Sequence, residues 1–265
     1  MKRRVVFVRN GLAAIHQRFS SDERYDARLV SADGWFASLV TVTAGTLAFA
    51  DGLGEREASS RFLLFLPRGA LVRMRLRAAD VETLGLTGGA APAGWPTIPT
   101  AVPCPLDSID RAPFPSLDEN QATCFEALSR LIDSVASDQA AIERFRVDAD
   151  RGLEPRLTTL RQRLFDEALS VSPVGRVGRE AKMAPAVFSR VFTAAFGLGP
   201  RDYCQRVRIH TAVLALIRGV DIAAAAYDSG FGDLSRFYRQ FRQATSETPG
   251  RYRTAGLMGR VDSVK

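Results

Sequence analysis

Two kinds of apolar spacing divide this 265-residue chain. Up to about residue 90 the apolar residues come in short runs: Trp35 to Thr43, Thr46 to Ala50, Arg61 to Pro67, Leu71 to Leu76 and Val81 to Leu86. Gly45, Asp51-Gly52-Leu53-Gly54, Arg68-Gly69 and the step Ala78-Ala79-Asp80 separate them, which predicts several short strands in a sandwich or small barrel. In the second half the spacing becomes helical. Val174, Val177 and Ala181 share one helix face, Lys182-Met183-Ala184 reads as a turn, and Pro185 stands at a first-turn position. Ile222 to Ser229 is a second short helical run, broken by Gly230-Phe231-Gly232, with Asp233 as N-cap of the next helix. Between them Tyr203, Val207, Val213, Leu214 and Ile217 form one stripe from Arg201 to Arg218, stopped by Gly219.

Within the helical half, five residues recur in order 49 positions apart: Phe188, Arg190, Phe192, Pro200 and Tyr203 reappear as Phe237, Arg239, Phe241, Pro249 and Tyr252. Repetition at a fixed offset means that one supersecondary unit occurs twice. In each copy the two phenylalanines are four apart and share a helix face, while the arginine between them points elsewhere. Two short helices around a tight turn, the second presenting arginine, is the helix-turn-helix arrangement whose second helix enters the DNA major groove. At about 1.5 Å per residue the connecting helix spans roughly 27 Å. That matches the scale of the ~34 Å between successive major-groove faces.

Residues from Leu157 to Arg253 resemble the AraC/XylS family of bacterial transcription regulators. The resemblance rests on Phe188-Ser189-Arg190-Val191-Phe192, Phe196 to Tyr203, Arg206-Val207-Arg208-Ile209, Gly230-Phe231-Gly232-Asp233, Phe237-Tyr238-Arg239-Gln240-Phe241 and Thr248 to Arg253. Two departures stand out: Ala184 replaces a capping serine, and Thr245-Ser246 replace an aromatic-glycine pair. The resemblance implies base reading at Ala186, Ser189 and Arg190 on the first recognition helix and at Leu234, Ser235, Tyr238 and Arg239 on the second. Arg190 and Arg239 suit bidentate contact with guanine, Ala186 and Leu234 apolar contact with a thymine methyl, and Arg236 and Arg242 the phosphates. Its implied partners are promoter or operator duplex DNA, a second copy of the chain as a homodimer, and RNA polymerase where such a regulator activates.

Charge follows the same division. Residues 151–258 hold 17 Arg/Lys against 9 Asp/Glu, whereas 1–150 hold 17 against 19, so the basic excess sits with the duplication. Arginine outnumbers lysine 33 to 3, which is equally the mark of a GC-rich genome and adds nothing for DNA. Lys2-Arg3-Arg4 precedes only Val5 to Val8 before Arg9, too short a core for a secretory signal, and there is no run of about 18 apolar residues. The expectation is a soluble cytoplasmic protein without membrane attachment. Cys104, Cys124 and Cys204 are odd in number and widely spaced, hence free thiols rather than disulfides or zinc ligands.

The middle and the first half carry less chemistry. Seven of 13 prolines fall in 91–116, which reads as an extended linker or strap resistant to helix and ladder formation. Ser116 to Val135 reads as an amphipathic helix with Ser116 and Glu119 as a capping box and a stripe of Phe125, Leu128, Leu131, Ile132 and Val135; a second helix comes after it at about 137–146. That stripe suits either the sheet or a dimer partner. Leu63 to Gly69 is similar to a strand and turn of the family's cupin-like barrel. With His16 and His210 in different halves, no metal-binding cupin site or other cofactor is expected. Trp35, Phe36, Arg73 and Arg75 are candidates for holding a small organic effector; Arg73, Arg75 and Arg77 alternate along one strand, forming either an anion-recognising wall or a solvated face.

The reading is an α+β protein. A mostly β, cupin-like barrel or half-barrel over 1–90 has the regulatory role, 91–116 is the linker, and 117–150 is helical and available for dimerisation. An all-α DNA-binding domain over 151–258 then carries helix-turn-helix units at 174–197 and 222–245. It is not read as an enzyme. The rival is a ligand-binding or enzymatic cupin whose basic helical half docks a protein partner.

Overall fold

The computed structural model describes residues 2–9, 12–19, 25–30, 35–51, 54–58, 61–88, 95–96, 99–104, 121–145, 155–245 and 247–254. For 2–30, 35, 43–58, 73–80, 82, 84, 88 and 121–125 within those ranges, the description is of the backbone path. The first half is one antiparallel sheet of eight strands: β1 (Lys2–Arg9), β2 (Leu12–Phe19), β3 (Tyr25–Val30), β4 (Trp35–Asp51), β5 (Gly54–Ala58), β6 (Arg61–Leu66), β7 (Leu71–Gly88) and β8 (Thr100–Pro103). The strands run β1-β2-β7-β4-β6-β8, with β3 also on β7 and β5 also on β4. The sheet includes three strands before Trp35, outside the five apolar runs singled out in the sequence.

Two expected turns are absent because they face each other. The runs 35–43 and 46–50 are one strand, as are 71–76 and 81–86. Register passes from Ala44↔Asp80 to Thr46↔Arg77, so one residue on β4 lies against two on β7, and Gly45 and Ala78-Ala79 become the two sides of a bulge. A breaker on one strand would end pairing. Opposed breakers instead bend a continuous ribbon.

Alternation sends successive side chains to opposite faces. Leu63 and Phe65 of β6 join Ala37, Leu39, Leu86, Trp95 and Val102 in one core, whereas Phe62, Leu64 and Leu66 join Val40, Val42, Val72 and Val81 in another. β6 is buried on both faces, which is why it is nearly all apolar. Phe65 and Trp95 pack edge to face with ring centroids 5.1 Å apart, so these aromatics are core.

The first core is roofed by α1 (Gln121–Ser137) and α2 (Gln139–Arg144) through Leu128, Ile132, Ala136 and Ile142. Leu128, Leu131, Ile132 and Val135 of the apolar stripe that also suited a dimer therefore pack on the sheet core, while the side chain of Phe125 lies outside the described residues. Ser116 and its capping box lie outside the described residues, and α2 starts later than expected, capped by Asp138, which accepts from the Ala141 N–H at 3.0 Å. The proline-rich segment is not wholly a strap: Thr100–Pro103 pairs with β6. This ladder is tolerated because β8 is an edge strand with Pro103 as its last residue, so a missing N–H there costs little.

The second half is helical: α3 (Pro155–Asp166), α4 (Pro173–Glu180), α5 (Pro185–Phe196), α6 (Pro200–Ile217), α7 (Ile222–Asp228) and α8 (Leu234–Thr245), with a further turn of helix over 249–254. It has two cores. One gathers Leu160, Leu164, Phe165, Val177, Phe188, Phe192, Phe196, Tyr203 and Val207; the other gathers Ile209, Val213, Ile217, Ala225, Phe231, Phe237, Phe241 and Tyr252. The long helix α6 supplies both, its first half to one and its second half to the other. Among the described residues no helix is long and apolar enough to cross a membrane, and no cluster of His, Cys, Asp or Glu is arranged to hold a metal.

Because Leu128 is fully buried against the sheet within one chain, Leu128→Ala should destabilise the protein by about 2–5 kcal/mol. Urea unfolding followed by circular dichroism at several protein concentrations checks this. The loss should be the same at each concentration, as expected of packing within the chain.

Candidate nucleic-acid interface

Each repeat builds the same unit from local signals. Pro185 opens α5, and Gly197, at φ +70°, closes it with its N–H on the Thr193 carbonyl. Phe188 and Phe192 pack with their rings tilted and centroids 5.8 Å apart, and Phe192 meets Phe196 at 4.6 Å and Tyr203 at 5.8 Å. The second copy repeats the pair and the tyrosine, with Phe237 and Phe241 5.3 Å apart and Tyr252 5.3 Å from Phe241; its third ring comes from the other end, Phe231 lying 5.1 Å from Phe237, because Thr245 stands where the first copy has Phe196. These phenylalanines are buried, so each helix is held by one face and must present the other.

The helix starts differ. At α8 the Asp233 carboxylate accepts from the Ser235 N–H at 3.1 Å and the Arg236 N–H at 2.8 Å, as expected of an N-cap. At α5, Ala184 caps with backbone alone, leaving first-turn N–H groups without a side-chain acceptor. Asp221 caps α7 through the Ala223 N–H at 2.9 Å; this hydrogen bond, more than the nearby Arg253, holds its carboxyl below the usual range. Thr245 is buried, and its hydroxyl donates to the Phe241 carbonyl at 2.8 Å, closing α8 where the family has an aromatic-glycine pair.

Ala186, Arg190, Ser235, Tyr238 and Arg239 are exposed, as are Arg236 and Arg242. Ser189 is half-buried. Leu234 is partly buried against the second core, so part of its side chain is committed to packing. Ion pairs form elsewhere: Arg163 with Glu180 at 2.9 Å, Arg176 with Glu167 at 2.8 Å and Arg251 with Glu247 at 2.8 Å. Among the described residues none engages Arg190, Arg236, Arg239 or Arg242. Of the effector candidates, the side chains of Trp35, Arg73 and Arg75 lie outside the described residues, and Phe36 packs on the second sheet core.

Between the two units lies a cleft of about 480 Å³, walled by Ser189 of α5, Arg201 and Arg208 of α6, and Arg236 and Gln240 of α8. Sequence reasoning passed over Arg201 and Arg208. Arg201 is exposed at the start of α6 and adds a positive charge to the cleft. Arg208 has a different task. Its Nε donates to the Ala168 carbonyl and its Nη2 to the Ser170 carbonyl, both at 2.7 Å, and burial pushes its pKa down without discharging it. The residue between those carbonyls is Leu169, whose own carbonyl packs against Gly230, at φ +80° in the turn of the second unit. A Cβ at Gly230 would collide with that backbone. Arg208, the 168–170 loop and Gly230 thus fasten one unit to the other.

Cys204 lies at the cleft wall but is buried, and burial pushes its thiol up to about 12. It is a protonated packing group at neutral pH.

A family model described as a helix-turn-helix domain matches residues 177–255. The chain is 31% identical over 94 residues to the regulatory protein ada of Salmonella typhimurium LT2, covering 36% of this chain and 26% of that protein. It is 32% identical over 83 residues to the HTH-type transcriptional regulator Rv1931c of Mycobacterium tuberculosis H37Rv, covering 31% of this chain and 32% of that one. It therefore spans about a quarter to a third of the length of these curated relatives. Among solved structures, ToxT of Vibrio cholerae O395 bound to (E)-4-(8-methylnaphthalen-1-yl)but-3-enoic acid is similar in fold, with a TM-score of 0.52 at 12% identity over 93% of this chain and 100% of that one.

This geometry makes two outcomes testable. Gly230→Ala should cost more than about 1 kcal/mol, through both its positive φ and the Leu169 contact, measured by chemical unfolding. Asp221→Ala should lower the melting temperature at pH 7. A carboxyl whose folded pKa is depressed stabilises above its unfolded value and loses that contribution as pH falls through the folded one. The gap between the two proteins, read by calorimetry, should therefore narrow below about pH 4.

Proposed function

We infer that this chain, which carries an AraC/XylS-type helix-turn-helix domain, is a transcription regulator that binds duplex DNA with two reading helices of one polypeptide. The observation that carries this is the pair of units held by matching phenylalanine cores, with exposed arginines on α5 and α8 that no carboxylate among the described residues neutralises. Phosphate neutralisation by such arginines gives affinity for any duplex; contacts to base edges then select among sequences. The 18-residue helix α6, roughly 27 Å long, suits the two units to adjacent turns of the major groove.

Residue roles are assigned from position. Arg190 and Arg239 leave their helices between buried phenylalanines and are assigned to guanine O6 and N7. Ala186, Ser189, Leu234, Ser235 and Tyr238 flank them as further base-reading positions, Leu234 with only its uncovered part. Arg236 and Arg242 are assigned to phosphate, and Arg201 joins them from the cleft. The N-terminal sheet is the regulatory part, cupin-like in the family's manner, and receives a small organic effector without metal. The fold likeness to ToxT supports that placement, and the acid bound to ToxT makes apolar carboxylates the first class to screen. Cytoplasmic location, a homodimer and contact with RNA polymerase complete the reading; no catalytic role is assigned.

The test is a selection of bound sequences from random duplexes, followed by variants on the selected site. Arg190→Ala and Arg239→Ala should each lose about 1–3 kcal/mol there and relax preference at particular base pairs. Arg242→Ala should weaken selected and random duplexes alike and lower the salt slope by about one unit. Circular dichroism confirms folding of each variant first. A uniform loss for Arg190→Ala and Arg239→Ala, with base preference unchanged, would make them phosphate clamps and overturn the assignment.

A further inference from the structure

The turn joining β6 to β7 contributes little to the sheet, since those strands flank β4 and do not pair with each other. It is tightly made all the same. The Ala70 N–H donates to the Pro67 carbonyl at 3.1 Å, with Gly69 at φ +73° in the position that a type II turn reserves for glycine. Its outer surface meets the first helix-turn-helix unit. The Tyr203 hydroxyl donates to the Gly69 carbonyl at 3.3 Å in buried surroundings. The Arg68 guanidinium lies 5.0 Å over the Phe165 ring, and a Cβ on Gly69 would come within 3.3 Å of the same ring. Leu71, the first residue of β7, is a member of the first unit's core. Among the described residues, the second unit's core contains no residue of the sheet.

We propose that the 67–71 turn is an internal latch by which the N-terminal sheet holds the first helix-turn-helix unit, the second unit being reached from the first through α6 and the 168–170 loop. The turn continues into β7, the strand that pairs with β2, β3 and β4, so a distortion of the sheet by a bound molecule is delivered at Tyr203 and Phe165. Docking follows from the contacts themselves; transmission to DNA rests on the function proposed above. Arg68 and Tyr203 act as positioning residues, on the side of the unit that the base-reading arginines leave free.

Hydrogen–deuterium exchange on the full chain compares wild type with Tyr203→Phe, which removes one hydroxyl and keeps the ring, and with Gly69→Ala, which presses on Phe165. Both variants should exchange roughly fivefold faster over α3 and the first half of α6, with α7 and α8 unchanged. Unchanged exchange over α3 and α6 in both variants, or an equal rise in α7 and α8, overturns the latch. Binding to a random-sequence duplex is measured alongside. Both variants should bind about threefold more weakly, since the first unit is no longer held in place; affinity equal to wild type overturns transmission. If wild type binds no duplex, the DNA reading fails, and the exchange comparison alone decides the latch.

Discussion

The Arg208 guanidinium, gripping the carbonyls on either side of Leu169, is the constraint on which the arrangement of the two units depends. Half-burying a cation is unfavourable, and only charge-assisted hydrogen bonds to well-placed acceptors offset it. A planar fork with several donors can satisfy two carbonyls of one loop at once, which a lysine cannot do with the same geometry. With the loop held, the Leu169 backbone packs against Gly230, and the turn of the second unit is located relative to the first. The helix α6 alone would fix distance; the loop also fixes rotation about it.

This knot gives the charge distribution its meaning. Arginines on the outer helices are matched by carboxylates at Glu167, Glu180 and Glu247, and such exposed pairs add little to stability. Among the described residues, those on the presented faces of α5 and α8 stay unmatched because the phenylalanines four apart consume the opposite face. Apolar packing thus decides where charge accumulates. Fastened at a defined separation, two basic faces present one field to a single polyanion rather than two independent ones.

The sheet is joined to this assembly asymmetrically. Tyr203 belongs to the repeat, and its counterpart Tyr252 fills the equivalent place in the second core, yet of the two it is Tyr203 that reaches a carbonyl of the sheet. Duplication therefore yields two units that are alike in packing and unlike in attachment. The bulge opposite Gly45 lets β4 and β7 run the length of the sheet, so the strand that leads out of the Gly69 turn is also the strand most widely paired. A strand paired with three others is placed to carry a displacement of the sheet to the turn at its start.

What the sequence determined by itself is whatever depends on neighbours a few positions away. The phenylalanine pairs, Pro185, Asp233, Gly219 and the stripe of α6 act within one or two helical turns, so the two units and the exposure of Arg190 and Arg239 were legible before any fold. Tertiary structure alone decided features in which distant segments meet. Gly45 and Ala78-Ala79 read as breaks until their opposition across two strands made them a bulge, and Thr100–Pro103 read as a strap until β6 offered an edge. The stripe of α1 suited the sheet or a dimer partner equally; Leu128, Leu131, Ile132 and Val135 of it pack on the sheet. Arg206 and Arg208 look alike in the chain, two positions apart on one helix, yet one is exposed and the other holds the 168–170 loop. Periodicity reports which face of an element is buried. It carries no information on what lies across the gap, because that is set by pairing and packing between segments remote in sequence.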